Sequence, residues 1–134
     1  MMLDVDRFKN FNDSFGHATG DKVLRAIGGI IKNSFKGMDV AGRTGGDEFM
    51  VLLRDIEKVE YASLLAERIE KEVNQLVFHA DSRISVSLSI GISVFPDHGQ
   101  NFETLYNAAD KALYYVKNHG RASWKVYTPE MEKT

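Results

Sequence analysis

Apolar residues recur at helical spacing in four segments of the chain, which predicts four helices. In the first, Phe8, Phe11 and Phe15 stand three and four residues apart, so we expect three rings in the core and a segment closed by Gly16 and Gly20. The other stripes are longer and run from Asp21 to near Ser34, from Tyr61 to Leu76, and from an N-cap at Asn101 to a stop at Gly120.

The clearest strand is a segment in which apolar and small residues alternate. Between Ile84 and Val94 every second residue is apolar, and serine or glycine stands between. Shorter strands are predicted at residues 3–6, 40–44, 49–53 and 124–127. The order of strand, helices, hairpin, helix, strand, helix and strand predicts an α+β domain of the ferredoxin-like class, with a mainly antiparallel sheet and helices packed on one side.

Composition limits the classes of function. With 134 residues and 43% hydrophobic content, the chain suits one domain, which we place at residues 1–128, followed by a polar tail without core residues at 129–134. A net charge of -2 argues against binding to a nucleic acid polymer or to a membrane surface by this domain. The absence of cysteine and of a membrane-length apolar run favours a cytoplasmic location, although the full-length protein could be membrane-anchored.

Carboxylates surround a predicted hairpin turn. Gly45 and Gly46 separate two strands and supply the positive φ values of a tight turn, so Asp47 and Glu48 begin the second strand. Since neighbouring strand residues point to opposite faces, we expect one acid to serve a metal and the other to face elsewhere. If the first strand lies beside the hairpin, Asp4 joins this group. Such a sparse oxygen site suits Mg²⁺ shared with substrate phosphates, and we expect these acids, like Asp6, to lie outside the core.

Basic residues near the end of the last helix have two interpretations. Lys117 and Arg121 bracket Gly120, where positive charge is favoured by the helix dipole and can bond the last carbonyls. The same placement would let them clamp a triphosphate if this helix end faces the carboxylates. Lys9 is a third candidate for phosphate binding, with surface solvation as the alternative.

Two polar residues could read a purine edge. Asn12 and Asp21 carry the necessary amide and carboxylate groups, but a turn residue and a helix cap would look the same in sequence. The four histidines show no spacing typical of metal ligands; they are His17, His79, His98 and His119.

Several motifs occur in one order along the chain, and together they resemble the GGDEF domain of bacterial diguanylate cyclases. They are Asp4-Val5-Asp6-Arg7-Phe8-Lys9-Asn10-Phe11-Asn12-Asp13, Phe15-Gly16-His17, Gly20-Asp21, Arg43-Thr44-Gly45-Gly46-Asp47-Glu48-Phe49, Ser89-Ile90-Gly91, and residues 109–114 with Lys117 and Gly120-Arg121. The resemblance covers residue 3 to about residue 127 and implies a nucleotidyl-cyclase palm-like version of the predicted fold.

The resemblance implies an enzyme that converts two GTP molecules into cyclic di-GMP and two pyrophosphates with Mg²⁺ or Mn²⁺. Each of two domains would hold one GTP, so the partner is a second GGDEF domain in a homodimer, and an isolated domain should turn over poorly. Asp4, the Val5 carbonyl and Asp47 match the metal-binding positions, and Asp47 and Glu48 the catalytic acids. The matched substrate-binding residues are Asn12 and Asp21 for guanine, Phe8 and Lys9, Gly45 and Gly46 at the α-phosphate, and Lys117 and Arg121 as a phosphate clamp.

The chain departs from the family pattern in two places. The helix and polar segment that normally precede the first strand are missing, so we expect a domain that lacks its N-terminal helix. Where the family's product-inhibition site has arginine, two residues and aspartate, this chain has Lys36 and Asp39. Lysine lacks the planar fork of arginine, so feedback inhibition should be weak or absent.

Two other functions stay open. The domain could bind GTP as a catalytically silent regulatory module, with its output in a neighbouring EAL phosphodiesterase domain downstream; a sensory domain would stand upstream. A related nucleotidyl cyclase could prefer another base, although Asn12 and Asp21 together favour guanine.

Overall fold

The computed structural model describes residues 1–35, 39–76 and 85–133. Its elements, in chain order, are β1 (Met2–Val5), α1 (Phe8–Phe15), α2 (His17–Asn33), β2 (Val40–Gly45), β3 (Glu48–Leu52), α3 (Val59–Asn74), β4 (Leu88–Ile92), α4 (Phe102–Asn118), β5 (Trp124–Val126) and a short 3₁₀ helix (Pro129–Lys133).

The strands form one sheet in the order β2-β3-β1-β4-β5. All neighbouring pairs are antiparallel except β4 and β5. This arrangement confirms the predicted α+β class and the mainly antiparallel sheet. It also places β1 beside the hairpin, as the sequence analysis assumed, with Asp4 opposite Glu48 on one side and Ser89 on the other.

Helices cover both faces of the sheet, so the expectation of helices on one side is wrong. Alternate strand residues on one face pack with α2 and α3; this large-residue face consists of Leu3, Val5, Phe49, Val51 and Ile90. The residues between them belong to the α4 face, which consists of Met2, Asp4, Met50, Ser89 and Gly91. There Met2 and Met50 pack with Ala109 and Leu113 of α4. The cause is the period of two in strands: both sets are buried, and each needs its own covering layer.

The α4 face carries small residues because the helix lies very close to the sheet. A Cβ atom on Gly91 would collide with the carbonyl oxygen of Ala109 and the backbone nitrogen of Leu113. Two residues further on, Ser93 donates a hydrogen bond of 2.7 Å from Oγ to the carbonyl oxygen of Leu105. Gly91 and Ser93 of the alternating segment therefore contact the backbone of α4.

The alternating segment is shorter as a strand than its pattern predicts. Only Leu88–Ile92 form ladder pairs, because β1 offers four residues on one side and β5 three on the other. Ile84 lies outside the described residues, as do His79 and Lys36.

Helix boundaries lie close to those of the sequence patterns except at the start of α2; α3, for example, spans Val59–Asn74 instead of Tyr61 to Leu76. The helix begins at His17 rather than at Asp21, because Gly16 has a φ of +87° and so interrupts the helical backbone between α1 and α2. Gly20 lies inside α2 and does not close α1. The N-cap predicted at Asn101 is confirmed and is part of a capping box, in which Asn101 Oδ1 accepts a 2.9 Å bond from the Thr104 nitrogen.

The three rings of α1 are not equally buried. Phe11 is 8% exposed and stacks against a half-buried Phe8, whereas Phe15 is 44% exposed. The prediction of three core rings is therefore wrong for Phe15, which stands at the last position of the helix.

The hairpin turn differs from the prediction in its residues and its backbone. Gly45 is the last residue of β2, Glu48 is the first of β3, and Gly46 and Asp47 form the turn. Neither glycine adopts a positive φ, and the register shifts between Arg43 and Gly45. The tight turn thus forms without left-handed glycines, next to an irregularity in the ladder.

The C-terminal segment contributes to the core, contrary to the expectation of a tail without core residues. Met131 is 8% exposed. Beside it, Glu132 accepts hydrogen bonds from Lys111 Nζ of α4 at 2.5 Å and from the Tyr127 hydroxyl at 2.7 Å. The domain boundary at residue 128 stays a prediction. In the described part of the chain, no helix combines the length and apolarity needed to cross a bilayer.

Candidate active site

Asp4 is a buried carboxylate near the end of the central strand. The residue is 7% exposed, because β3 and β4 flank β1 and Asp4 belongs to the face that α4 covers. The expectation that Asp4 lies outside the core is therefore wrong. A charge buried this deeply needs a partner, and its partners define the site.

Lys117 of α4 forms an ion pair with Oδ2 of Asp4. The other carboxylate oxygen, Oδ1, is buried and has no hydrogen-bond partner among the described residues. One oxygen of Asp4 is thus neutralised by a cation, and the second is left free to bind another positively charged group.

The hairpin turn brings Asp47 to the same place. Its carbonyl oxygen accepts a 3.1 Å hydrogen bond from the Val5 nitrogen, so the turn lies against the end of β1. Burial raises the pKa of Asp4 from 3.8 to about 6; the hydrogen bond from Lys117 opposes this rise, and the negative charge of Asp47 adds to it. Two carboxyl groups and one ammonium group therefore meet beside Val5.

Glu48 has different neighbours from Asp47. Its Oε1 accepts a 3.1 Å hydrogen bond from the Thr44 hydroxyl. The charge of Glu48 is also the main reason why the pKa of Tyr106 on α4 is raised. Asp47 and Glu48 thus lie in different environments, Asp47 beside Asp4 and Glu48 beside Thr44 and Tyr106. Tyr106 is a residue that sequence reasoning did not single out, because only the packing of α4 brings it near the hairpin.

A second polar group lies where α1 meets α2. A Cβ atom on Gly20 would collide with Oδ1 of Asn12 and would lie 3.1 Å from the Phe8 ring. Oδ1 of Asn12 is buried and has no hydrogen-bond partner among the described residues. The structure thus brings Asn12 and Phe8 together, whereas Lys9 and Asp21 are exposed on their helices.

Arg121 lies in the loop that follows α4, and Asp6 ties this loop to the sheet. Oδ2 of Asp6 accepts a 3.0 Å hydrogen bond from the Ala122 nitrogen. The same carboxylate binds the hydroxyls of Ser87 and Ser89. Asp6 therefore has structural partners that sequence reasoning missed. The serines on one face of the alternating segment were the available signal, but only strand pairing shows which carboxylate they bind.

The remaining candidates lie elsewhere. Asp39 Oδ1 accepts a 2.8 Å bond from the Arg54 nitrogen, and its predicted companion Lys36 lies outside the described residues. His98 Nδ1 accepts from the Val94 nitrogen, and His119 stacks on Tyr115. Within residues 1–35, 39–76 and 85–133, no three side chains of His, Asp or Glu are grouped as metal ligands.

The Asp4 and Asp47 pair fits a hard divalent cation bound with few protein ligands. Mg²⁺ prefers oxygen donors and keeps several waters and substrate phosphates in its shell, so two carboxylates and a backbone carbonyl are sufficient. Oδ1 of Asp4 is buried without a partner among the described residues and lies near the charge of Asp47, so a bound cation would stabilise the ionised form of Asp4.

Comparison with known proteins gives a consistent family. The family model "Diguanylate cyclase, GGDEF domain" matches residues 1–123. Diguanylate cyclase A of Treponema denticola is 40% identical over 122 residues, which are 90% of this chain and 33% of that relative. The bifunctional diguanylate cyclase/cyclic di-GMP phosphodiesterase MucR of Pseudomonas aeruginosa is 34% identical over 131 residues, which are 98% of this chain and 19% of MucR.

Solved structures agree with the sequence comparisons. The crystal structure of the GGDEF domain of TpbB from Pseudomonas aeruginosa superposes with a TM-score of 0.89 at 37% identity and covers 95% of this chain and 80% of that one. The chain spans a third or less of the two curated relatives, so it corresponds to one part of such proteins. On the family match, the identity and the shared fold, the chain belongs to the GGDEF domain family of diguanylate cyclases.

Proposed function

We propose that this domain is a diguanylate cyclase catalytic domain that condenses two GTP molecules into cyclic di-GMP and two pyrophosphates. The observation that carries the proposal is the cluster of Asp4, Asp47 and Lys117, in which a buried carboxylate has one oxygen paired and one free. Carboxylates that hold a metal and a lysine that contacts phosphate are the parts that phosphoryl transfer needs, because its catalysis depends on charge and positioning.

In this proposal Asp4, the Val5 carbonyl and Asp47 hold Mg²⁺ or Mn²⁺. The bound ion would supply charge neutralisation at the phosphates. Lys117, which pairs with Asp4 in the structure, would contact phosphate from α4 together with Arg121. Among the atoms of the residues that the structure describes, none lies near the position that a Cβ atom would take on Gly45 or Gly46. The absence of side chains there would let the α-phosphate approach the backbone closely.

The guanine base would lie where α1 meets α2. Asn12 offers a buried carbonyl oxygen that has no partner in the described ranges and can accept from a base N–H group, and Phe8 forms an apolar wall beside it. Asp21 and Lys9 are exposed and would approach the base and the phosphates when GTP binds. Glu48, held by Thr44, would act as an accessory acid.

Each half of the product comes from a different GTP, so the reaction needs a second domain of the same kind facing the first. The proposal therefore includes a homodimer. When the protein is diluted and the dimer dissociates, the rate of product formation should fall more steeply than the enzyme concentration. Weak or absent product inhibition, from Lys36 in place of arginine, is part of the proposal.

The test is to incubate the protein with GTP and Mg²⁺ and to identify the products by chromatography. Substituting Asp47→Ala should abolish formation of cyclic di-GMP, because it removes a metal ligand, while the circular dichroism spectrum stays unchanged. Asp97→Ala, which removes an exposed carboxylate from the turn before α4, is the matched control and should leave the rate unchanged. Product formation by the Asp47→Ala variant at the wild-type rate would contradict the metal role.

A second function is favoured by the relative MucR, whose name includes a phosphodiesterase activity. By analogy, the domain would bind GTP and regulate a neighbouring EAL domain without making product. Calorimetry that shows GTP binding, together with no cyclic di-GMP at any protein concentration in the full-length protein, would favour this alternative over the cyclase.

A further inference from the structure

Each carboxylate oxygen of Asp6 accepts a hydrogen bond from the protein, unlike those of Asp4 two residues earlier. Its Oδ1 accepts a 2.5 Å hydrogen bond from the Ser89 hydroxyl, and its Oδ2 accepts from the Ser87 hydroxyl at 2.6 Å and from the Ala122 nitrogen at 3.0 Å. These donors come from β4, from the segment before it and from the loop after α4. Asp6 therefore joins two separate parts of the chain, the β4 segment and the loop after α4, to the end of β1.

The loop that Asp6 binds has an unfavourable backbone. Gly120, Arg121 and Ala122 are consecutive residues with φ of +102°, +59° and +50°. Glycine adopts such values readily, but residues with a Cβ avoid the left-handed region and keep it only where surrounding bonds enforce it. Two bonds do so here: the Arg121 nitrogen donates to the Val116 carbonyl at 3.0 Å, and the Ala122 nitrogen donates to Asp6.

The position of this loop matters for the candidate active site. Arg121 is four residues beyond Lys117, whose ammonium group binds Asp4. Asp4 is near the end of β1 and Asp6 directly follows that strand, so the bond between Asp6 and Ala122 holds the Arg121 backbone at the same end of the sheet. Without that bond, α4 would still fix Lys117, but of the two bonds only that from the Arg121 nitrogen to Val116 would oppose a change from the left-handed conformation.

We propose that Asp6 is a positioning residue that locks residues 120–122 in their left-handed conformation and thereby directs Arg121 to the phosphates of the bound nucleotide. The role of Arg121 in this inference rests on the proposed function; the lock itself does not. Asp6 acts through hydrogen bonds rather than as a metal ligand, because both of its oxygens are already taken by protein donors.

A pair of variants separates these two roles. Asp6→Asn keeps an oxygen for the Ala122 and Ser87 donors, and its amide can donate to Ser89, so the hydrogen-bond pattern survives without the charge. Asp6→Glu keeps the charge but moves it by one methylene. Positioning predicts that Asp6→Asn binds GTP within about twofold of the wild type and that Asp6→Glu and Asp6→Ala bind about tenfold more weakly.

The measurement is calorimetric titration of each variant with GTP and with guanosine in the presence of Mg²⁺. Guanosine lacks phosphates, so its affinity should not change in any variant. The inference is overturned if Asp6→Asn loses as much GTP affinity as Asp6→Ala, which would indicate a role for the charge. Equal losses for GTP and guanosine would overturn it as well, since they would indicate general damage to the fold.

A double-mutant cycle with Arg121→Ala tests whether Asp6 acts through that residue. If it does, adding Asp6→Ala to Arg121→Ala should cause no further loss of GTP affinity. Losses that add in the double variant would show that Asp6 contributes independently, contrary to the proposal.

Hydrogen exchange at the Ala122 amide tests the lock without any nucleotide. Exchange should be slow in the wild type and in Asp6→Asn, and at least about tenfold faster in Asp6→Ala, because this N–H loses its acceptor. Unchanged exchange in Asp6→Ala would rule out the lock. A wild-type protein that binds no GTP but shows the expected exchange pattern would overturn the proposed function and the role of Arg121 while leaving the lock established.

Discussion

The two faces of the sheet come from the same strands but are packed in different ways. On the large-residue face, Leu3 and Ile90 are 0% exposed and pack with α2 and α3. On the α4 face, Ser89 is 0% exposed and Gly91 touches the helix backbone. One face is filled by side chains and the other by the close approach of a helix.

This difference explains where the candidate chemistry lies. Polar groups can be buried only where hydrogen bonds or ion pairs satisfy them, and the α4 face provides these. Its serines bind Asp6, and its helix supplies Lys117 to Asp4. An apolar face of tightly packed side chains offers no such partners, so Asp4, the buried carboxylate of the site, lies on the small-residue side.

The largest effect that would test this comparison is expected from Gly91→Ala. The added methyl group would overlap backbone atoms of α4, which cannot rotate away as a side chain does, so we expect the free energy of unfolding to fall by about 3 kcal/mol. Urea denaturation measures the change.

Gly29→Ala is the matched control for that substitution. Gly29 lies in α2 with nothing near its Cβ position, so alanine should stabilise the helix by about 0.5–1 kcal/mol. A Gly91→Ala variant as stable as the wild type would show that α4 does not lie as close to the sheet as described.

A smaller effect should appear in the pH dependence of stability. The pKa of Asp4 is raised by burial to about 6 in the folded state, against 3.8 as its ordinary value. Between these values the folded state binds more protons than the unfolded state, so the contribution of Asp4 to stability is greatest at low pH and is lost as the pH rises from about 4 to about 6. Mg²⁺ binds the ionised form, so it should raise Tm more at pH 7 than at pH 5.

Thermal unfolding of the wild type and of Asp4→Asn, with and without MgCl₂, checks this prediction. The variant should show a weaker pH dependence in this range and little response to Mg²⁺. If Mg²⁺ stabilises Asp4→Asn as much as the wild type, the ion binds elsewhere.

The smallest effect is expected from Ser93→Ala, which removes one hydrogen bond between the sheet and α4. Loss of the bond to the Leu105 carbonyl should lower the free energy of unfolding by about 1 kcal/mol in chemical denaturation. Ser14→Ala on the exposed surface of α1 is the control and should be neutral or slightly stabilising. Equal stability of the two variants would mean that Ser93 contributes only by being small.

Most of the fold could be predicted because local patterns specify local structure. Apolar spacing located the helices, and alternation located β4, since burial of one side requires those periods. The start of α2 was missed because Gly16 and Gly20 look alike in sequence. Only the proximity of Asn12 shows that Gly20 is there for close packing inside a helix.

The candidate site was predictable in its residues but not in its arrangement. Asp4, Asp47 and Lys117 are far apart along the chain, and their meeting depends on strand order and on the placement of α4. The partners of Asp6 and the position of Tyr106 near Glu48 were missed for the same reason, because these groups come from distant segments.

By itself, the sequence determined the elements, the α+β class and the resemblance to GGDEF domains, because periodicity and motifs are properties of short segments. The tertiary structure decided that the helices cover both faces, that Asp4 is buried with one free oxygen, and that Asp6 binds the loop carrying Arg121. These outcomes depend on which segments are neighbours in space. Hydrogen bonds and burial act between such neighbours, however far apart they lie in the chain.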